Sequence, residues 1–428
     1  MMDEPIDPGD GVDGWREAFW KPLVSAALQR WEPPFYVFSP RPFEAAWKRL
    51  ESALVDLPIP HQHWLSFKTQ PVPRLLQWWR DRGQGVEVVS EFEYRAALRA
   101  GFPAERILLN GPAKHRWLPA CAVPGLNVNF DSAAEAEGLA ELAKSLDWKL
   151  GVRFLTSLES DLEGPQVPTQ FGVAPEELEE FDRVMVRHGL SVETVHIHLR
   201  TNVGSPEIYR RALVEARGMA GRLGLTVRRL DCGGGLPPGF VTNHQGQAYN
   251  KDFDLNAWAA MLCAEVRRWP QLEALWLENG RFLSAGSGVL AVRILDAKER
   301  RGMRQLVCNG GRTNNALVAT WEDHGMFSLP ERSGGETLTT VTGPTCMAFD
   351  RLVRRPLPRS LMPGDVLVWM DAGAYHISWE NHFSHGLARV LWDGGGGLEM
   401  VREPEDFDHW WSRWRHRIGE ESLDAGSH

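Results

Sequence analysis

The amino-acid sequence predicts an α/β protein, a parallel (β/α)8 barrel joined to an antiparallel β domain, and three observations carry that prediction. Eight strand-like runs interleave with helix-like stretches over roughly 220 residues, the alternation of a parallel barrel. Beyond Leu283 the runs become short, alternating and bounded by Gly or Pro, as antiparallel strands are. No GxGxxG fingerprint, which an open doubly wound sheet would carry, lies near the first strand. The chain therefore reads as an N-terminal segment, 1–38, that joins the β domain; a barrel over 39–284; and a β domain with a C-terminal helix over 285–428.

Taken in order, an amphipathic helix over about 15–31 precedes a strand at Phe35-Tyr36-Val37-Phe38. The barrel strands end near Lys68, Ser90, Asn110, Asp131, Leu155, Leu199, Cys232 and Glu278, in runs such as GVEVVS, RILLN and LEALWLE. Helical stretches between them cover 91–100, 132–145, 175–188, 205–223 and 255–269. In the β domain, 288–295, 304–308 and 365–370 read as strands. Residues 407–418 read as a terminal helix whose aromatic face packs rather than binds.

Composition narrows the function classes. With 428 residues, 43% hydrophobic and 24% charged, the chain has material for two globular domains of unequal size. A net charge of −9 and the lack of a basic block argue against nucleic acid as a partner. The opening MMDEPIDPGDGVDG is acidic without an apolar run, so neither a signal peptide nor an anchor is expected, and no stretch is apolar enough to span a membrane. The five cysteines are scattered, without the paired spacing of a zinc site or a disulfide framework, which suits a reducing cytoplasm. Composition gives no account of the 19 tryptophans beyond large buried or interface surfaces.

The chemistry collects where barrel enzymes keep it, at the C-terminal ends of the strands. The stretch His63-Trp64-Leu65-Ser66-Phe67-Lys68-Thr69-Gln70-Pro71 begins like a short buried strand and delivers a lysine just before a turn. Such a lysine either snorkels to the surface or, desolvated, loses its proton and forms an imine with an aldehyde. Other strand ends carry Glu87 and Ser90, Asn110, Arg153, His196 and His198, the run Asp231-Cys232-Gly233-Gly234-Gly235, and Glu278 with Arg281. Glycines at a strand end let backbone N–H groups converge on a phosphate, and Arg281 offers the countercharge. His198 taken alone reads as a hydrogen-bonded core residue. His61, His63, His196 and His198 show no ligand spacing of the HExxH kind, so no metal is expected. An amine, a phosphate cradle, a ring for stacking and a buried acid together describe a pocket for pyridoxal phosphate.

Between Pro34 and Arg389 a series of motifs follows in order: Phe35-Tyr36-Val37, the lysine strand, Val88-Val89-Ser90-Glu91-Phe92-Glu93, Asn110-Gly111-Pro112-Ala113-Lys114 and Gln170-Phe171-Gly172. His196-Ile197-His198, Leu230-Asp231-Cys232-Gly233-Gly234-Gly235-Leu236, Glu278-Asn279-Gly280-Arg281, Gly343-Pro344-Thr345-Cys346 and Asp371-Ala372-Gly373-Ala374-Tyr375 complete it. In this order and at these distances the chain resembles the fold type III pyridoxal-phosphate enzymes, in the branch of ornithine, arginine and diaminopimelate decarboxylases. The resemblance implies a pyridoxal-phosphate-dependent lyase of amino-acid metabolism, a homodimer with shared active sites whose substrate is a small-molecule amino acid or a derivative of one. Lys68 would hold the aldehyde as an imine and return as a general acid–base, His198 would stack on the ring, and Glu278 would keep the pyridine nitrogen protonated. Gly233, Gly234, Gly235, Arg281 and Tyr375 would hold the phosphate, with a hydroxyl from Thr201. Glu87, Ser90 and Gly280 would line the cofactor. Cys346 of the partner subunit would protonate the carbanion carbon. A racemase or epimerase on the same scaffold, where an arginine takes the place of Glu278, is the alternative enzyme; a cofactor-free decarboxylase-like binding protein is the alternative without catalysis.

Departures from the family pattern bear on the substrate. Arg200-Thr201 stand where a Gly-Ser pair is usual, and Glu87 stands where aspartate is common. Relatives acting on diamino acids carry an acid directly after the cysteine; here that residue is Met347, with Asp350 three residues on. Arg200, Met347 and Asp350 are thus the expected substrate-facing positions. A substrate with a distal carboxylate, or a larger acidic conjugate, is expected in place of ornithine, lysine or meso-diaminopimelate.

Overall fold

The structure, a computed structural model, describes residues 12–159, 167–239, 241–244 and 253–415. Two compact units form: one of residues 41–240 and 248–285, the other of 1–40, 241–247 and 286–428. In chain order the first ten strands are β1 (Phe35–Phe38), β2 (His61–Ser66), β3 (Gly85–Val88), β4 (Ile107–Leu109), β5 (Asn127–Phe130), β6 (Lys149–Arg153), β7 (Thr194–His196), β8 (Arg229–Asp231), β9 (Thr242–Asn243) and β10 (Ala274–Leu277). β2 to β8 pair in sequence order, and β10 closes the barrel between β8 and β2, every pair parallel.

The period of two along a strand builds the barrel interior in two steps. Trp64, Leu108 and Trp276 pack together, the two indoles 4.8 Å apart. Gly85 makes room for them, since a Cβ there would lie 2.4 Å from the Trp64 ring. Two residues further along each barrel strand, or just past its end, the interior becomes polar: Ser66, Glu87, Asn110, Asn129, Arg153, His196, Asp231 and Glu278 are all buried. Alternate residues such as Leu65, Val86, Val128, Val152, Val195, Leu230 and Leu275 take the opposite face and are fully buried as well.

The intervening helices are α2 (Pro40–Ala53), α3 (Pro73–Arg80), α4 (Glu91–Arg99), α5 (Ala133–Ser145), α6 (Leu178–His188), α7 (Pro206–Arg222) and α8 (Leu255–Val266), after α1 (Val12–Leu28) in the other unit. Ser90 and Ser132 accept from the N–H groups of Glu93 and Glu135, three residues on, and so start α4 and α5. Several elements are shorter than the sequence predicts. β7 stops at His196, not near Leu199; α6 begins at Leu178; and α8 ends at Val266.

The other unit is a sheet in which β11 (Gly288–Arg300), β12 (Met303–Cys308), β14 (Met326–Leu329), β15 (Glu336–Thr342), β16 (Arg351–Pro358), β17 (Val366–Trp369), β18 (Arg389–Asp393) and β19 (Leu398–Arg402) surround β1. Its pairs are mostly antiparallel, but β1 runs parallel to β18 and β12 parallel to β15. The first exception is forced, because β11 and β18 run in opposite directions and β1 lies between them. The short β13 (Glu322–Asp323) pairs with β9. Helix α1 lays Trp20, Val24 and Ala27 on Phe35, Val37, Val289, Val368 and Leu391. The terminal helix spans Phe407–Arg415, with Phe407, Trp410 and Trp411 packed on one another; positions 416–418 lie outside the described residues. No helix among the described residues is long and apolar enough to cross a membrane.

Candidate active site

Lys68 is not the last residue of a strand. β2 ends at Ser66, and Phe67–Thr69 form a single 3-10 turn closed by the Gln70 N–H on the Phe67 carbonyl. The prolines at 71 and 73 prevent the strand from continuing. Gly280 packs against this turn, since a Cβ on it would lie 2.1 Å from Thr69 Oγ1. The lysine is also less desolvated than its sequence setting predicts, with 35% of its side chain exposed. Its Nζ donates to Glu87 at 2.8 and 3.2 Å, and Ser66 Oγ donates to the same carboxylate at 2.5 Å. Pairing with a buried carboxylate, rather than removal from water, holds this amine in place.

Glu278 lies at the centre of the polar layer. Asn110 donates to its Oε1, while His196 Nε2 and His198 Nδ1 stand 3.6 and 3.5 Å from its two oxygens. Burial pushes its carboxyl upward, but the two imidazoles outweigh burial and hold it well below the usual carboxylate range. Asp231 goes the other way: burial first, and then the negative charge of Glu278, hold it well above its ordinary value. Asn129 links the groups, donating to Asn110 at 2.9 Å and to Asp231 at 3.4 Å. The His198 imidazole is pushed below its ordinary value by desolvation, aided by Arg153 and Lys68 and opposed by Glu278. A mostly neutral ring suits stacking.

On the same rim, Arg281 Nε donates to Thr201 Oγ1 at 3.0 Å, and the Val203 N–H bonds the Gly235 carbonyl at 2.9 Å. Gly233 and Gly235 have φ of 62° and 97°, and Cβ atoms on Gly233 and Gly234 would each meet a strand-end carbonyl at 2.6 Å. Only glycine permits this close seating. Tyr209 Oη anchors the run on the Gly234 carbonyl at 2.7 Å. Ser90 is committed to capping α4. Arg153 pairs with Glu159 at 2.5 Å and lies over the Phe171 ring at 4.5 Å.

The remaining predicted residues are described within their own units. Arg200 is exposed at the end of the stretch after β7. In the sheet unit, Cys346 is exposed and Met347 half-buried. Asp350 is buried and turned into its own loop, accepting from Arg312 N at 2.7 Å, Thr345 N at 3.1 Å and Thr345 Oγ1 at 2.6 Å. Tyr375 has φ 65° at the start of a short helix, His376–Trp379. Asn129 and Glu159 went unnoticed in the sequence; strand periodicity could have found Asn129, two residues beyond an interior position of β5.

The family model described as "Pyridoxal-dependent decarboxylase, pyridoxal binding domain" matches residues 42–285, more than half the chain. The chain belongs to this family. It is a fold type III pyridoxal-phosphate-dependent decarboxylase, a carboxy-lyase acting on amino acids. Among similar proteins is a diaminopimelate decarboxylase of Actinosynnema pretiosum subsp. auranticum, 29% identical over 76% of this chain and 78% of its own. Another is the L-glutamyl-[BtrI acyl-carrier protein] decarboxylase of Niallia circulans, 27% identical over 89% of this chain and 93% of its own. In fold, the chain is similar to the diaminopimelate decarboxylase of Helicobacter pylori complexed with L-lysine, with a TM-score of 0.78 at 20% identity over 92% of this chain and all of the other. The decarboxylase's polar layer fits the family's cofactor by its donor set: an amine, a carboxylate kept ionised, a neutral imidazole, and an arginine beside a glycine run.

Proposed function

We propose that Lys68 holds pyridoxal phosphate through its aldehyde carbon and that the decarboxylase acts on an amino acid without a distal ammonium. The observation that supports the first half is the convergence of Lys68, Glu87, Asn110 and Glu278 on one hydrogen-bonded chain at the C-terminal end of the barrel. When bound, the cofactor draws electrons from the bond between the substrate's α-carbon and its carboxylate. Glu278, kept ionised by His196 and His198, would hold a proton on the pyridine nitrogen. Glu87 would keep the Lys68 side chain turned into the barrel. His198 would stack on the ring, while Gly233, Gly234, Gly235, Gly280, Arg281, Thr201 and Tyr375 would receive the phosphate. Cys346 of the partner subunit would deliver a proton to the carbon that loses CO2.

Met347 and Asp350 support the second half. The residue after Cys346 carries no charge, and the Asp350 carboxylate is occupied by its own loop. An ammonium buried without a partner is disfavoured by several kcal/mol, on the order of 3–5 when the partner is removed. Arg200 offers the opposite charge, suited to a distal carboxylate or an acidic conjugate, and the Niallia circulans relative is named for a glutamyl conjugate, which has no distal ammonium.

The deciding experiment is a Lys68→Ala variant. It should fold, lose the visible band that borohydride removes from the wild type, and release no CO2 above background. An active variant with unchanged absorbance refutes the assignment. Efficient release of CO2 from ornithine, lysine or meso-diaminopimelate by the wild type refutes the substrate half alone.

A further inference from the structure

We infer that Glu51, His61 and His63 form a zinc site at the N-terminal end of the barrel, away from the decarboxylation centre. His61 and His63 are two apart on β2, so both rings leave the same face of the strand. The third ligand comes from the last turn of α2, ten residues before His61, a distance at which no sequence motif announces it. Glu51 Oε1 stands 3.1 Å from His61 Nε2 and 2.5 Å from His63 Nε2, and all three atoms lie within 4.8 Å of one another.

Those separations are close to what a tetrahedral zinc ion needs. Bonds of about 2.0–2.1 Å place neighbouring ligand atoms about 3.3 Å apart, so the His63–Glu51 contact would open by less than 1 Å. Two imidazoles and one carboxylate are also the donor set that zinc takes in three-ligand sites with an open fourth position. Access exists on that side: the Glu51 side chain is 40% exposed and that of His61 20%.

The opposite side is built. His63 is buried, edge-on to the rings of Trp47 and Trp79, and its Nδ1 has no hydrogen-bond partner. Packing behind the ring and the Glu51 contact in front of it together hold its Nε2 towards Glu51, as a preformed ligand requires. Trp47 Nε1 donates to the same Glu51 oxygen at 3.2 Å and fixes the carboxylate from the outer shell. The strand separates the two centres: from His61 to Ser66 is about 16 Å of β2. An ion here would clamp the end of α2 to the start of β2 and steady the strand that leads to Lys68.

The test uses cofactor-loaded enzyme, stripped with chelator, dialysed against micromolar zinc chloride and assayed for metal. Wild type should retain about one zinc per chain, and zinc should raise its melting temperature. His61→Ala and Glu51→Gln change partly exposed side chains and should still fold, with a normal decarboxylation rate as the check. Both should lose zinc affinity by more than the tenfold to hundredfold typical of outer-shell changes, and zinc should no longer shift their melting. Wild type without stoichiometric zinc overturns the inference and leaves a hydrogen-bonded trio. Zinc held by His61→Ala at wild-type affinity overturns it too, by placing the ion elsewhere.

Discussion

Glu278 keeps its charge in a buried place because two imidazoles and an amide face it, whereas burial and that same charge hold Asp231 well above its ordinary value. Glu278→Gln removes the charge and leaves the shape. The variant should retain cofactor and melting temperature but lose turnover by on the order of a hundredfold or more, as when a preorganised electrostatic group is removed. Wild-type turnover would refute the role of this charge. The sequence names Glu278, His198 and the glycine run readily, because they end strand patterns. It does not reveal that Asn110 and Asn129 carry hydrogen bonds between the acids, nor that the charge of Glu278 raises Asp231. Those depend on which strand lies beside which, and Asn129 and Asp231 are 102 positions apart.

At the scale of elements, the start of α4 shows one residue serving two ends. Glu93 accepts from the Val89 N–H at 2.9 Å while its own N–H caps on Ser90. Burial, then the nearby charge of Glu87, push its carboxyl up to about 7. Between pH 4.5 and 7 the unfolded chain releases this proton while the folded chain keeps it, so stability falls as pH rises through that window. Glu93→Gln can keep the cap without ionising. Urea midpoints at pH 5 and pH 7.5 should show the wild type losing about 1–3 kcal/mol more than the variant over that interval. Equal losses would disprove the assignment. The helix that starts after Ser90 is legible in sequence, as are the strands to within a few residues, but the capping role of Ser90 emerges only in the structure. The close approach of Gly280 to the 3-10 turn under Lys68 is not legible there, because the two are about 210 positions apart in the chain.

For the whole molecule, the proposed sharing of Lys68 and Cys346 between protomers has an arithmetic outcome. Lys68→Ala and Cys346→Ala proteins, each impaired alone, are mixed and allowed to exchange subunits. Half the dimers become mixed, and each holds one intact and one doubly defective site, so activity should recover to about a quarter of wild type. No recovery despite proven exchange would confine Cys346 to its own chain. The molecule's tryptophan content also finds a partial account at this scale. Trp47, Trp78 and Trp79 pack together, with Trp47 and Trp79 edge-on to His63, while Trp64 and Trp276 fill the barrel interior.

That interior pair has an optical consequence. The two indoles stand 4.8 Å apart, and each lies two residues before a member of the polar layer, Ser66 on one strand and Glu278 on the other. A chromophore seated on that layer would be within energy-transfer range of both, and their ultraviolet emission would be drained into it. Tryptophan emission should therefore fall in part as pyridoxal phosphate is added to cofactor-free protein, a readout of loading that needs no substrate.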